Sequence, residues 1–286
     1  MHRARKWAHW WIVGVLLVGT LVIWYAVCAE DRGGILTVAF FDVGQGDAIF
    51  IESPTGSQIL IDGGPDRSVV RVLGRMMPFY DRTIDMLVVT NPDKDHFAGF
   101  LDVLRLYKVG AVIEPGTRGA SAEYAVLGAL VKETGVSHSL VRRGEIIDLG
   151  GGAALEIFFP DRVVAGVGTN EGSIVAKLTY GDTSFLFTGD TTEPVENYLA
   201  GLDGARLKAD VLKVAHHGSR TSTGVAFLGY AAPARAVISA GADNRYGHPH
   251  PEVFNHLKQF GIETLCTCTE GTIIMESDGS RVRVRK

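Results

Sequence analysis

The feature that most constrains this chain is a recurring pattern in which a short apolar run ends on a carboxylate or histidine beside glycine. It is seen at Asp42 in FFDVGQGD, Asp62 in LIDGG, the cluster in VVTNPDKDHFAG, Asp190 in LFTGD, and His216-His217 in LKVAHHGS. Runs this short and apolar read as strands, and a strand end opening into a loop is where a rigid scaffold presents polar groups accurately. Carboxylate oxygens and imidazole nitrogens arriving from separate strand ends make a site for a divalent cation.

The rest of the pattern agrees with a two-sheet architecture. Leu36–Asp42, Ala48–Ser53 and Gln58–Asp62 read as an antiparallel meander, separated by Gly-rich or Pro-Gly turns. Strands and helices then alternate, with strands at Asp85–Thr90 and Ala111–Glu114 and helices at Phe97–Tyr107 and Ala122–Thr134. Later strands are expected at Ser173–Tyr180, Phe185–Thr188, Val211–Ala215 and Ala236–Ser239, with helices near Glu193–Leu199, Thr223–Tyr230 and Glu252–Phe260. A closing hairpin, Thr272–Glu276 with Arg281–Arg285, turns at Asp278-Gly279. So many strands, with helices in both halves, predict an α/β fold of two sheets packed face to face under outer helices, a four-layer α/β/β/α sandwich.

The amino end has a different character. From Trp10 to Ala29 there is no Asp, Glu, Lys or Arg, and about twenty helical residues cover the roughly 30 Å hydrocarbon core of a bilayer. Trp7, Trp10 and Trp11 at one end and Trp24 and Tyr25 at the other suit the two interfaces. Arg3, Arg5 and Lys6 precede the run and Glu30 and Asp31 follow it. The expectation is therefore a cytoplasmic tail over 1–9, one transmembrane helix over 10–29 and an extracellular domain over 35–286. A cleaved signal peptide is the alternative, and Val27 before Cys28 disfavours a lipoprotein site.

The net charge of −4, with Lys+Arg 28 against Asp+Glu 32, excludes a protein held to nucleic acid by bulk charge alone. Three cysteines cannot staple a chain of this length. Cys266 and Cys268, one residue apart on an expected strand, should point to opposite faces.

Taken together, FFDVGQGDAIFIE with LIDGG, NPDKDHFAGF, FTGD, LKVAHHGSRTS and ISAGADNRYGHPHPEVF resemble the metallo-β-lactamase superfamily, and within it the metallo-hydrolase domain of the ComEC family of DNA-uptake competence proteins. The resemblance implies Asp95, His96 and His216 on one metal, with His217 as the alternative to His216, Asp93 on the other metal, and Asp190 bridging the two. Asn91 stands where the family has its first histidine, and Asn170-Glu171-Gly172-Ser173 replaces the third-motif histidine. An amide oxygen at Asn91 shifts that site toward Mn²⁺ or Mg²⁺, whereas the other suits Zn²⁺ or Mn²⁺. Two metals together would activate water for in-line displacement at phosphorus.

The implied function is thus a membrane-anchored phosphodiesterase or nuclease acting on DNA. Asp95 serves the chemistry, His248 is the candidate general acid, and Arg220, Arg245 and His217 contact substrate. The alternatives are an impaired metal-binding or scaffold domain, and β-lactam hydrolysis, which the lost histidines disfavour. Asp62 is expected to orient a ligand, while Asp42 and Asp47 are as consistent with turn chemistry as with function. His138 and His256 read as surface residues, and Arg281, Arg283 and Arg285 as a solvated strand face.

Overall fold

The computed structural model describes residues 2–30 and 32–285, with side chains described over His9–Trp24 and from Arg32 onward. The expectations for Arg3, Arg5, Lys6, Trp7, Tyr25, Cys28, Glu30 and Asp31 lie outside the described side chains. His2–Glu30 forms one 29-residue helix, and every described side chain from His9 to Trp24 is exposed. Among the described residues no helix is long and apolar enough to cross a membrane, so the span expected over 10–29 is not supported by this structure.

Among the described residues fifteen strands follow, in two sheets. The first sheet contains β1 (Leu36–Phe40), β2 (Ile49–Glu52), β3 (Gln58–Ile61), β4 (Thr83–Val88), β5 (Lys108–Glu114) and β6 (Ser137–Leu140). The second contains β7 (Ile146–Gly150), β8 (Ala153–Phe159), β9 (Val175–Tyr180), β10 (Thr183–Phe187), β11 (Val211–Lys213), β12 (Arg235–Ile238) and β13 (Glu263–Cys266). The closing hairpin, β14 (Ile273–Ser277) and β15 (Val282–Arg285), returns to the first. The orders are β15-β14-β1-β2-β3-β4-β5-β6 and β13-β12-β11-β10-β9-β8-β7. The expected meander is present, with β1, β2 and β3 antiparallel. From β3 to β6 and from β10 to β13 the strands run parallel.

Alternation along each strand builds the layers. Leu36, Val38 and Phe40 of β1 point into the core between the sheets, together with Ile59 and Ile61 of β3 and Phe185 and Phe187 of β10. Ala39 and Leu60 point the other way, under the helices Ser68–Met76, Phe100–Leu106 and Ala122–Thr134. Leu186, Leu212 and Ile238 likewise meet the helices Glu193–Asp203, Val225–Ala231 and Pro251–Gln259. The molecule is the expected α/β/β/α sandwich.

Several local expectations change. The helix expected over Phe97–Tyr107 is two, Lys94–Phe97 and Phe100–Leu106. They divide at Gly99, where any Cβ would come within 2.0 Å of the Gly63 carbonyl oxygen. Cys266 and Cys268 do not face opposite ways but form a disulfide. Alternation of period two places residues i and i+2 on one face rather than on opposite ones, and here the strand ends at Cys266 and Thr267–Glu270 is helical. His256 is not a free surface group, since its Nδ1 donates to the Thr223 carbonyl at 3.0 Å.

Candidate metal centre

Because β3, β4, β10, β11 and β12 run in parallel sets, their carboxyl ends open on one edge of the sandwich. There the strands deliver Asp62, the Asn91–His96 segment, Asp190, the histidine pair and Ser239, and the β1–β2 loop delivers Asp47. Asp47, His96, Asp190 and His217 each place one ligand atom within 4.8 Å of the others, and all four are buried.

Hydrogen bonds fix the two imidazoles. His96 Nδ1 donates to Asp62 Oδ2 at 2.8 Å, and Asp62 also accepts from Thr90 N at 2.8 Å and Thr90 Oγ1 at 2.5 Å. Asp62 therefore orients His96, as expected. His217 Nδ1 donates to the Ser239 carbonyl at 3.0 Å. Each ring thus turns its Nε2 lone pair inward, where carboxylates wait: His96 Nε2 lies 3.0 Å from Asp190 Oδ2, and His217 Nε2 lies 3.5 Å from Asp190 Oδ2 and 3.3 Å from Asp95 Oδ2. Lone pairs facing carboxylates repel unless a cation or protons lie between them. With protons alone, burial opposes charging the rings, but Asp190 with Asp62 raises His96 well above its ordinary range, and Asp190 with Asp47 does the same for His217. Burial likewise works against ionising Asp190, yet His217 and His96 hold its carboxyl well below the usual carboxylate range.

The test of fit is direct. His96 Nε2, His217 Nε2, Asp47 Oδ1 and Asp190 Oδ1 are buried without a hydrogen-bond partner. Two imidazole nitrogens and carboxylate oxygens are the donor set a divalent ion takes, with outer partners already in place on both rings.

The structure distributes the expected residues in a particular way. It gathers His217 beside His96, ring centroids 5.3 Å apart, with Asp95 at the rim. His216 is partly exposed, its Nε2 3.9 Å from Asp190 Oδ2 and its Nδ1 near Thr221 Oγ1 at 3.3 Å. Both histidines adopt left-handed backbone angles (φ 49° and 54°), which sparse region sets which ring turns inward. Asn91 and Asp93 are tied up: Asn91 Nδ2 donates to Asn170 at 2.8 Å, Asn91 Oδ1 accepts from Asp93 N at 3.0 Å, and Asp93 Oδ2 accepts from Thr169 at 2.9 Å. Burial first, then His217, His216 and His250, pushes His248 down to about 4, so at neutral pH the expected general acid is a neutral imidazole. Arg220 meets His250 at 3.1 Å, and Arg245 donates to the Tyr246 hydroxyl at 2.9 Å.

Two residues emerge only in three dimensions. Asp42 is confined to its turn, accepting from Gly44 N at 3.2 Å, but Asp47 joins the centre. Its Oδ2 accepts from Lys213 Nζ, which also donates to the Gly189 carbonyl at 3.1 Å. Burial works to raise the Asp47 carboxyl, but Lys213 and His217 outweigh it and hold it at about 2. The signal for Lys213 was its place in LKV: it shares the inner face of β11 with Val211, where a charge requires a partner.

The family described as the metallo-beta-lactamase superfamily matches residues 41–242. ComE operon protein 3 of Bacillus subtilis is 30% identical over 278 residues, covering 91% of this chain and 35% of that protein. Competence protein ComA of Neisseria gonorrhoeae is 27% identical over 269 residues, covering 94% and 35%. Recombination protein 2 of Haemophilus influenzae is 27% identical, covering 86% and 29%. The chain therefore spans about a third of the length of these curated relatives. Among solved structures, CmlA, a diiron β-hydroxylase from Streptomyces venezuelae, is similar with a TM-score of 0.56 and 17% identity, covering 87% of this chain and 54% of that one. Igni18, a metallo hydrolase from Ignicoccus hospitalis, gives 0.50 and 12%, covering 84% and 98%. At such identities these two structures establish the fold alone. By its matched residues and its curated relatives, the chain belongs to the metallo-β-lactamase superfamily, as a ComEC-like domain of it.

Proposed function

We propose that this chain is a metal-dependent hydrolase of phosphodiesters, with single-stranded or degraded DNA as substrate. The observation that carries the reading is the set of four orphaned, buried ligand atoms on His96, His217, Asp47 and Asp190. The names of the relatives, a competence protein and a recombination protein, supply the reason to choose DNA. A divalent cation bound there supplies Lewis-acid charge stabilisation and lowers the pKa of water. The chain's own residues do the rest. Asp62 and the Ser239 carbonyl orient the rings. Asp95, half-buried at the rim, is placed to accept a proton, and neutral His248 to hydrogen-bond the substrate. Arg220 and Arg245 are exposed and available to phosphate oxygens.

The test is digestion of fluorescent single-stranded DNA by the full chain, stripped of metal and resupplied with Mn²⁺, Mg²⁺ or Zn²⁺. Cleavage should return with metal and be absent in Asp190→Ala. A second reading, a metal-binding domain without turnover, draws on Asn91, whose amide is committed to Asn170 and Asp93. Native silence with activity in Asn91→His would establish that reading, and silence in every arm would remove DNA as the substrate.

We also propose that residues 10–29 anchor the chain, with the sandwich outside the cell. The described part of that segment is uncharged and exposed throughout, and transfer of such apolar side chains from water into a hydrocarbon setting is favourable. Alkaline carbonate washing should leave the chain in the membrane pellet; recovery in the supernatant would rule the anchor out.

A further inference from the structure

Two adjoining hollows share Gln45, Asp95 and Tyr246. One, of about 210 Å³, lies over the metal centre against Asp190, His217 and His248. The other, of about 440 Å³, continues outward past Pro65, Lys94, Asn244 and Arg245. Together they form a groove between the β1–β2 loop and the loop that follows β12.

That second loop is held rigidly. Asn244 Nδ2 donates to the Gly241 and His248 carbonyls at 2.8 and 2.5 Å, and its Oδ1 accepts from Tyr246 N at 3.2 Å and His248 N at 2.9 Å. Gly241 N donates to Gln45 Oε1 at 3.2 Å, closing the loop onto the opposite wall. At Gly241 the two walls approach so closely that a Cβ would meet Gln45 N at 2.9 Å. On this fixed frame Tyr246 remains 52% exposed. Its ring stacks on His248 at 5.7 Å with 24° between planes, and His248 lies 6.4 Å from metal-facing His217. The Arg245 guanidinium carbon sits 5.0 Å from the Tyr246 ring centroid, and among the described residues no carboxylate pairs with Arg245. Lys94, across the groove, pairs with Glu123.

A pre-organised, exposed aromatic ring beside a guanidinium that donates to its hydroxyl and has no carboxylate partner among the described residues, two ring contacts from a metal-facing histidine, is matched by one kind of ligand: a phosphodiester whose neighbouring base is free to stack. Bases inside a duplex are already stacked and do not present a face. We infer that Tyr246 is the stacking platform for an unpaired base of single-stranded nucleic acid, with Arg245 holding the adjoining phosphate. This inference rests on the phosphodiesterase reading and gives that site its strand preference.

The experiment uses the full chain without added metal, so that binding is read apart from turnover. A single-stranded oligonucleotide carrying 2-aminopurine is titrated, following its emission and its anisotropy, beside an abasic oligonucleotide and a duplex of the same sequence. Native protein should quench the 2-aminopurine and bind the single strand more tightly than the duplex. Tyr246→Leu should abolish the quench and weaken single-strand binding by about tenfold, leaving duplex binding little changed, while Tyr246→Trp should retain both signals. Arg245→Gln should keep the quench but flatten the dependence of log K on log salt by about one phosphate contact. Equal affinity for abasic and native strands, with Tyr246→Leu indistinguishable from native, would overturn the platform and leave the phosphodiesterase reading standing. Failure of the native chain to bind any of the oligonucleotides would also overturn the platform, while the metal-dependent digestion decides the phosphodiesterase reading separately.

Discussion

His217→Ala will lose the metal and the hydrolytic activity together, whereas His216→Ala will keep the metal and lose only part of the activity. The two residues are neighbours in sequence and chemically identical, so the contrast isolates geometry. His217 is buried, its Nδ1 is fixed on the Ser239 carbonyl, and its Nε2 has no hydrogen-bond partner while facing Asp190 and Asp95. His216 is partly exposed and stands 3.9 Å from Asp190. Loss of an outer hydrogen-bond partner typically costs about 10–100-fold in metal affinity, and loss of a ligand costs more. Titration calorimetry with Zn²⁺ and Mn²⁺ should therefore show weakening beyond about a hundredfold for His217→Ala and far less for His216→Ala. The reverse ranking would place the ion on the outer group around His216 and Asp93. Asp62→Asn, which spoils the orientation of His96 without removing a ligand, should fall between the two variants.

Much of this was legible in the chain. The closing hairpin, the helix Ala122–Thr134 and the meander follow from turn residues and apolar spacing, because each is stabilised by neighbours close in sequence. β6, β7, β8 and the helix Ser68–Met76 are less legible. β6 is an exposed edge strand with the sequence SHSL, which carries no apolar alternation, and it exists because β5 offers it a free ladder. The motifs located the centre, but spacing did not decide which member of a histidine pair points inward. That depends on two consecutive left-handed residues, a conformation that neither histidine announces. The polar partners were hardest, since Asp47 and Lys213 meet across 166 residues of sequence.

That pair yields the second large effect. Lys213 is 1% exposed and lies on the inner face of β11, while Asp47 comes from the loop between β1 and β2 of the opposite sheet, so their ion pair joins the two sheets at the metal-bearing edge. Lys213→Met keeps most of the side-chain volume but leaves a carboxylate buried beside the Gly189 carbonyl, and breaking a buried pair in this way costs about 3–5 kcal/mol. The urea midpoint should fall accordingly with an unchanged slope. Asp47 should show the loss in its own pH dependence. Its folded value of about 2 lies below the ordinary 3.8, so in the chelated native protein its contribution is present in full above about pH 4 and fades as the pH falls toward 2. Lys213→Met should flatten that acid limb. Combining Lys213→Met with Asp47→Leu removes both charges, and two apolar side chains in place of a buried ion pair are often neutral or stabilising. The double variant should therefore recover most of the stability lost by Lys213→Met, with an interaction energy well above the ~0.5 kcal/mol expected of independent sites. Strict additivity would mean that the two charges do not depend on each other. Stability and metal affinity should part company in the double variant, because it regains the fold but lacks the Asp47 oxygen and the lysine that steadies the Gly189-Asp190 turn. A stable double variant that binds metal weakly would show that this costly buried pair serves the metal centre, since an apolar pair could hold the sheets together equally well.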